Sequence, residues 1–301
     1  MLKQVLIIAN PGSGKNMAET YAKQLQDTLE STYGATTTLR LTTKEGDATQ
    51  WASKATAEGF DTVICLGGDG TVNETIQGVV NNDPQPSFGF VPLGTVNDLG
   101  RAIGYSLVPE EAIEQFKHVQ ETPLDVGFVN DKVFINVLAI GAIPESVMAT
   151  ESEDKNSLGA FAYVKDAVGA FFAQEGYPLL ISHEHDVTAI ETNLLVIALT
   201  NSVGGFETLF PDATIDDGLL HLVAVKGAKP YDLVKAVFER GITQEESDSL
   251  LVVSGKKFTI EVDPTSDYRK DIPTNIDGDS GPQLPLDITV KAGAIQVLKP
   301  K

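Results

Sequence analysis

The run Cys65-Leu66-Gly67-Gly68-Asp69-Gly70-Thr71-Val72-Asn73-Glu74 concentrates glycines, carboxylates and a hydroxyl where a strand gives way to a helix. It follows the apolar stretch Thr62-Val63-Ile64-Cys65-Leu66 and leads into a predicted helix over Asn73–Asn81. Glycines let backbone N–H groups approach an anion closely, and the helix end adds partial positive charge. Asp69 sets a carboxylate at the same point, where it would organise Mg²⁺ on a nucleotide. The chemistry this implies is nucleotide-dependent phosphoryl transfer.

Two further loops have the same character. Phe88-Gly89-Phe90-Val91 reads as a short buried strand and runs into Pro92-Leu93-Gly94-Thr95-Val96-Asn97-Asp98, with Thr95 placed to cap a helix or touch a phosphate. Asn10-Pro11-Gly12-Ser13-Gly14 follows the strand Gln4–Ile8. Commoner glycine motifs do not fit. A Rossmann fingerprint would need glycine at Asn73, and a Walker A loop would need glycine at Ala9 and Ser or Thr at Asn16.

These loops need a scaffold, and the chain supplies one in two textures. Up to about Pro123, strands (Gln4–Ile8, Thr36–Leu41, Thr62–Leu66, Phe88–Val91) alternate with helices (Met17–Tyr33, Asp47–Glu58, Asn73–Asn81, Pro109–His118). That alternation predicts a parallel sheet with helices on both faces, and its ligand edge is the carboxyl end of the strands. From Asp125 onward short apolar runs follow one another: Val133–Val137, Leu179–Ile181, Leu194–Leu199, Leu219–Val225, Leu250–Val253 and Phe258–Val262. They predict an antiparallel β-sandwich, interrupted by helices at Leu158–Phe172 and Pro230–Arg240. The expected domains are therefore 1–124, α/β and nucleotide-binding, and 125–291, the β-sandwich.

Bulk properties narrow the function classes. A formal charge of −20 weighs against nucleic acid as a partner and makes an anionic membrane an unfavourable surface. The single cysteine, Cys65, sits in an apolar strand and reads as a small buried hydrophobe in a reducing compartment. The apolar run after Gln4 is too short for a signal-peptide core, and no segment approaches the ~18 apolar residues of a membrane span. The expectation is a cytoplasmic protein. His183-Glu184-His185 would put two imidazoles on one strand face, but without further ligands it reads as a strand end rather than a zinc site. Phe171-Phe172 reads as helix core in preference to an acyl cleft.

Gly67 to Glu74, taken with Pro92-Leu93-Gly94-Thr95-Val96-Asn97-Asp98, resembles the diacylglycerol kinase catalytic-domain family. The first motif is shared with NAD kinases, while the second loop and Asn275-Ile276-Asp277-Gly278-Asp279 favour the lipid kinases. Leu124-Asp125-Val126-Gly127 and Pro211 to Gly218 extend the resemblance along nearly the whole chain. It implies an ATP- and Mg²⁺-dependent kinase that phosphorylates diacylglycerol or a related lipid at a membrane surface, with the nucleotide between two domains. It also implies that the segment 292–301 returns to the first domain, which periodicity does not show.

Carried over by position, the resemblance assigns nucleotide contacts to Asn10, Pro11, Gly12, Ser13, Gly14 and Thr42. It extends them to Gly67, Gly68, Asp69, Gly70, Thr71, Asn73 and Glu74, and to Gly94, Thr95, Asn97 and Asp98. Thr43 is easily confused with Thr42. With Asp69, the catalytic carboxylates are Asp277 and Asp279, either of which can be the base. The family has Glu at the second position, so Asp279 is shorter by about 1.3–1.5 Å. An Asp-Gly hairpin turn is the plain structural reading of the same residues. A structural Mg²⁺ is implied at Asp217, with carbonyl oxygens from Thr214 and Leu219. Three readings remain open: a lipid kinase, an NAD kinase, and a non-catalytic relative that binds nucleotide or lipid. A homodimer also stays open, since no heptad or isologous patch marks it.

Overall fold

The apolar runs of the first hundred residues become four strands of six residues each: β1 (Gln4–Ala9), β2 (Thr36–Leu41), β3 (Thr62–Gly67) and β4 (Ser87–Pro92). The computed structural model describes residues 2–141, 176–203, 210–226 and 250–301. The four strands are parallel in the order β2-β1-β3-β4, with Ile7 beside Ile64 and Cys65 beside Phe90. β3 and β4 are buried along their whole length, as strands covered on both faces must be. Between them run α1 (Ala18–Tyr33), α2 (Asp47–Ala52) and α3 (Asp69–Val79). After β4 come α4 (Asp98–Ile103) and α5 (Pro109–Gln115).

The chain divides into two compact units, residues 1–126 with 292–301, and residues 127–291. The last strand, Leu286–Pro300, sets Val297 parallel to Phe88 of β4. Leu298 gives its carbonyl oxygen to the Tyr105 hydroxyl, and Lys301 donates its N–H to His118 at 2.9 Å. Asp125, buried, accepts the Gly293 N–H at 2.7 Å and so ties the end of the first unit's chain to its returning strand.

Among the described residues, eleven strands come between β4 and that last one. In chain order they are β5 (Val119–Val129), β6 (Lys132–Phe134), β7 (Val137–Ile140), β8 (Tyr177–His183), β9 (Asp186–Thr192) and β10 (Leu195–Ala198). They continue with β11 (Leu220–Val225), β12 (Leu250–Gly255), β13 (Lys257–Val262), β14 (Thr274–Ile276) and β15 (Asp279–Ser280), which makes Leu286–Pro300 β16. In the second unit the order β12-β11-β10-β7-β14-β15 forms one antiparallel sheet, and β16-β13-β8-β9 forms an antiparallel set. Alternate residues of both sheets share one core: Leu138, Ile197, Leu222 and Ile276 from the first, Leu179, Ile181, Phe258, Ile260 and Ile288 from the second. The fold is a parallel α/β unit and an antiparallel β unit.

Several boundaries differ from those the sequence suggests. The run Val133–Val137 is not one strand, because the Ile135 and Asn136 N–H groups turn to the Asp277 carboxylate between β6 and β7. α3 starts at Asp69 rather than Asn73, and α2 ends at Ala52 rather than Glu58. His183 and His185 do not share a strand face. Glu184 takes φ 49° in a tight turn, and His183 stacks on Phe258 at 5.3 Å. The helices expected at Leu158–Phe172 and Pro230–Arg240, with Phe171 and Phe172, lie outside the described residues.

Candidate active site

Three loops leave the carboxyl ends of β1, β3 and β4, and short main-chain contacts lock them together. Asn10 donates its backbone N–H to Leu66, Gly14 donates to Leu93 at 3.3 Å, and Leu93 donates to Gly67 at 2.8 Å. The Asn10 side chain accepts the Gly12 N–H at 3.0 Å and reaches the Thr71 hydroxyl at 3.5 Å. Gly68 and Gly94 are packed backbone to backbone, so that a Cβ on Gly94 would lie 2.7 Å from the Gly68 Cα. No side chain fits at Gly94, and a Cβ on Gly68 would press on the Gly94 Cα at 3.1 Å.

Asp69 fastens the third loop. Its carboxylate accepts the Asn97 N–H at 2.9 Å and the Asp98 N–H at 3.0 Å, the first donors of α4. Burial pushes its pKa up, the Asn97 N–H opposes that, and the Asp98 charge adds to it. The carboxylate expected to organise Mg²⁺ is thus engaged within the protein. Asn97, at φ 54°, closes the loop on itself: its amide oxygen accepts the Gly94 N–H at 2.9 Å and its amide nitrogen donates to the Gly94 carbonyl at 2.8 Å. Arg101 adds a bond from Nε to the Val96 carbonyl. Thr95 does not cap a helix, since α4 begins three residues later. It stands exposed at the tip of a braced loop.

The loop after β2 separates Thr42 from Thr43. Asp47 accepts the Thr43 N–H and hydroxyl, both at 2.8 Å, and the Lys44 N–H at 3.1 Å. Thr43 is consumed in that turn. Thr42 donates its N–H to Ala9 at 2.9 Å, and among the described residues its hydroxyl is in no hydrogen bond. Glu74, on α3, accepts the Gly46 N–H at 3.1 Å and ties this loop to the glycine-rich one. Asn73 lies on the same helix.

In the second unit Asp277 and Gly278 occupy the turn between β14 and β15 with φ 49° and 100°, the left-handed pair that a two-residue hairpin requires. The Asp277 carboxylate accepts three backbone N–H groups, from Ile135 at 2.8 Å, Asn136 at 2.9 Å and Val137 at 2.8 Å. Those three donors hold the carboxylate within the protein and fix the turn against the link between β6 and β7. Asp279, two residues on, is exposed on β15. Asn136, which sequence reading passed over, is 2% exposed, and among the described residues its side-chain oxygen has no hydrogen-bond partner.

Asp217 lies in the turn before β11. Its Oδ1 accepts the Leu219 N–H at 2.8 Å, and its Oδ2 accepts the Thr214 N–H at 3.0 Å and faces His221 Nε2 at 3.0 Å. Burial disfavours the charge, but the His221, Thr214 and Leu219 hydrogen bonds outweigh it and hold the pKa below the usual carboxylate range. The Asp217 carboxylate keeps a spare lone pair on Oδ1, and an ionised carboxylate oxygen is the kind of ligand that a hard divalent cation takes. Asp216 is engaged separately, with the Thr214 hydroxyl at 3.2 Å. Among the described residues no cluster of three or more His, Cys, Asp or Glu side chains forms a metal site, and no helix is long and apolar enough to cross a membrane.

Comparison with known proteins agrees with this layout. The diacylglycerol kinase catalytic domain matches residues 4–129, and the YegS C-terminal NAD kinase beta sandwich-like domain matches residues 144–299. A diacylglycerol kinase of Staphylococcus carnosus is 32% identical over the whole of this chain and 96% of its own length. One of Staphylococcus aureus is 33% identical over the whole chain and 93% of its length. The crystal structure of a Bacillus anthracis diacylglycerol kinase, 24% identical, shares the fold with a TM-score of 0.76 over 99% of this chain and 97% of that one. With both domain matches in sequence order and full-length relatives above 30% identity, the chain belongs to the diacylglycerol kinase family.

Proposed function

We propose that the protein is an ATP- and Mg²⁺-dependent lipid kinase that transfers the γ-phosphoryl group to the hydroxyl of diacylglycerol or a related lipid. The observation that carries this reading is the interlocked set of loops after β1, β3 and β4, which gathers backbone N–H groups and the exposed Thr95 hydroxyl on one edge of the parallel sheet. Asn10 to Gly14, Thr42, Gly67 to Thr71, Gly94 and Thr95 would receive the nucleotide. Asp69 and Asn97 act on it indirectly, by holding the Thr95 loop in shape. Glu74 ties the loop after β2 to α3, the Asp98 N–H binds Asp69, and Asn73 lies on α3.

Of the two late carboxylates, Asp279 is the base. Asp277 spends its charge on three N–H groups, whereas Asp279 is exposed beside it. In the reaction the lipid hydroxyl gives its proton to Asp279, its oxygen bonds to the γ-phosphorus, and the bond to the ADP oxygen breaks. Mg²⁺ bound with ATP offsets the negative charge of the phosphates. The products are ADP and a phosphorylated lipid, phosphatidic acid where the substrate is diacylglycerol.

The test is transfer of labelled γ-phosphate from ATP·Mg²⁺ to diacylglycerol in mixed micelles, phosphatidylglycerol, a sphingoid base, an undecaprenol-type alcohol and NAD. Labelled lipid is expected, reduced ~10²–10⁴-fold in Asp279→Asn and recovered in part by Asp279→Glu. Label on NAD alone would replace the lipid reading with NAD phosphorylation. ATP binding without transfer to any acceptor would point to a non-catalytic relative.

A further inference from the structure

We propose that His221, backed by Ser254, is the positioning residue that sets the Asp217 carboxylate for a divalent cation. This rests on the reading of Asp217, with the carbonyl oxygens of Thr214 and Leu219, as a cation site. The resemblance supplies those three positions. His221 and Ser254 come from the geometry alone.

β11 and β12 pair antiparallel with His221 directly opposite Ser254, so the ladder itself brings the two side chains together. His221 is 8% exposed, and the Phe210 ring lies against it at 5.7 Å. Both ring nitrogens are used: Nδ1 is 2.9 Å from the Ser254 hydroxyl oxygen and Nε2 is 3.0 Å from Asp217 Oδ2. An ionised carboxylate only accepts, so Nε2 carries the proton that it donates. In the neutral ring Nδ1 is then the acceptor, and Ser254 donates its hydroxyl proton to it. The chain of donors runs Ser254, His221, Asp217.

The consequence lies at Asp217. Three donors converge on its carboxylate, two on Oδ2 and one on Oδ1. They fix the rotamer and leave a lone pair on Oδ1 for a cation. Without the imidazole the carboxylate would keep only two bonds from its own turn, and the exposed neighbour Asp216 would compete for the cation. Partners of this kind, behind a ligand carboxylate, typically contribute a factor of 10–100 to metal affinity.

The full-length protein, free of nucleotide and lipid, is titrated with Mg²⁺ and separately with Ca²⁺ by calorimetry. Melting temperature is read with cation and with EDTA. The wild type is expected to bind one cation that Asp217→Asn abolishes. His221→Ala should weaken binding ~10–100-fold, Ser254→Ala less, and His221→Gln, whose amide can still donate, should recover part of the loss. The cation-induced rise in melting temperature should shrink in the same order. General loss of packing lowers both melts equally and leaves that difference unchanged. His221→Ala with wild-type affinity would overturn the proposal while the cation site stands. No binding by the wild type, or undiminished binding by Asp217→Asn, would overturn the cation site and the proposal together.

Discussion

At the scale of single residues, the partners of each carboxylate decide what it does. Asp277 holds three N–H groups and Asp69 two, so both organise backbone, while Asp279 is exposed, as the base proposed above must be. Asp277→Asn should therefore fail as a fold anchor as well as in activity. One amide N–H is left facing an NH₂ group and charge assistance is lost, a cost of about 2–3 kcal/mol, measured by denaturant unfolding. Asp279→Asn should leave unfolding unchanged. Glu74 gives a pH signature. Burial pushes its pKa up, the Gly46 N–H opposes this, and the Glu45 charge adds to it. Raised above its unfolded value, this carboxyl contributes stability that is full below the unfolded pKa and is lost as pH rises through the folded one. Glu74→Gln removes the loss. Its melting temperature relative to wild type should climb between about pH 4 and pH 7, and a flat difference would reject the assignment.

Elements add what single residues cannot: the glycine loops work as a set because their backbones touch. The four parallel strands of the first unit were legible to within a residue or two, since apolar runs between turn signals are a local property; Thr36–Leu41 is reproduced to the residue, whereas β5 and β9, with polar residues among the apolar ones, were not read as strands. What joins them was not legible. Asp69 reads as a ligand in sequence because its partners, Asn97 and Asp98, lie 28 and 29 positions away. His221 meets Ser254 only through a strand register 33 positions apart, and no local pattern encodes that. The Asp-Gly turn was legible from its dipeptide, but the three donors that Asp277 collects were not. The closest loop contact supplies its own test. Gly94→Ala places a methyl group 2.7 Å from the Gly68 Cα, and backbone cannot yield there as a flexible side chain would. The loops must part, so the KM for ATP should rise at least tenfold with little change in lipid KM. An unchanged KM for ATP would mean that the contact does not shape the nucleotide loops.

For the whole molecule, two properties outrun any motif: where the chain ends and how much charge it carries. The final ten residues belong with the first unit, and Ile295, Val297 and Leu298 are each no more than 1% exposed. Losing three such side chains, at roughly 1.5–3 kcal/mol each, approaches the whole stability margin of about 5–15 kcal/mol. A chain cut after Lys291 should therefore leave the first unit unfolded, with amide exchange in β1, β3 and β4 unprotected, and protected exchange there would refute the returning strand's importance. Under the proposed function, the charge of −20 bears on how the protein would reach a membrane lipid. Anionic vesicles repel it, and the repulsion extends over a Debye length of ~30 Å at 0.01 M salt but ~8 Å at 0.15 M. Transfer to lipid in zwitterionic vesicles should then be nearly indifferent to salt. In vesicles rich in phosphatidylglycerol, with diacylglycerol as acceptor, the rate should be low at 0.01 M and rise several-fold by 0.15 M. The opposite trend, fastest on anionic vesicles at low salt, would mean that a local basic patch overrides the net charge in docking.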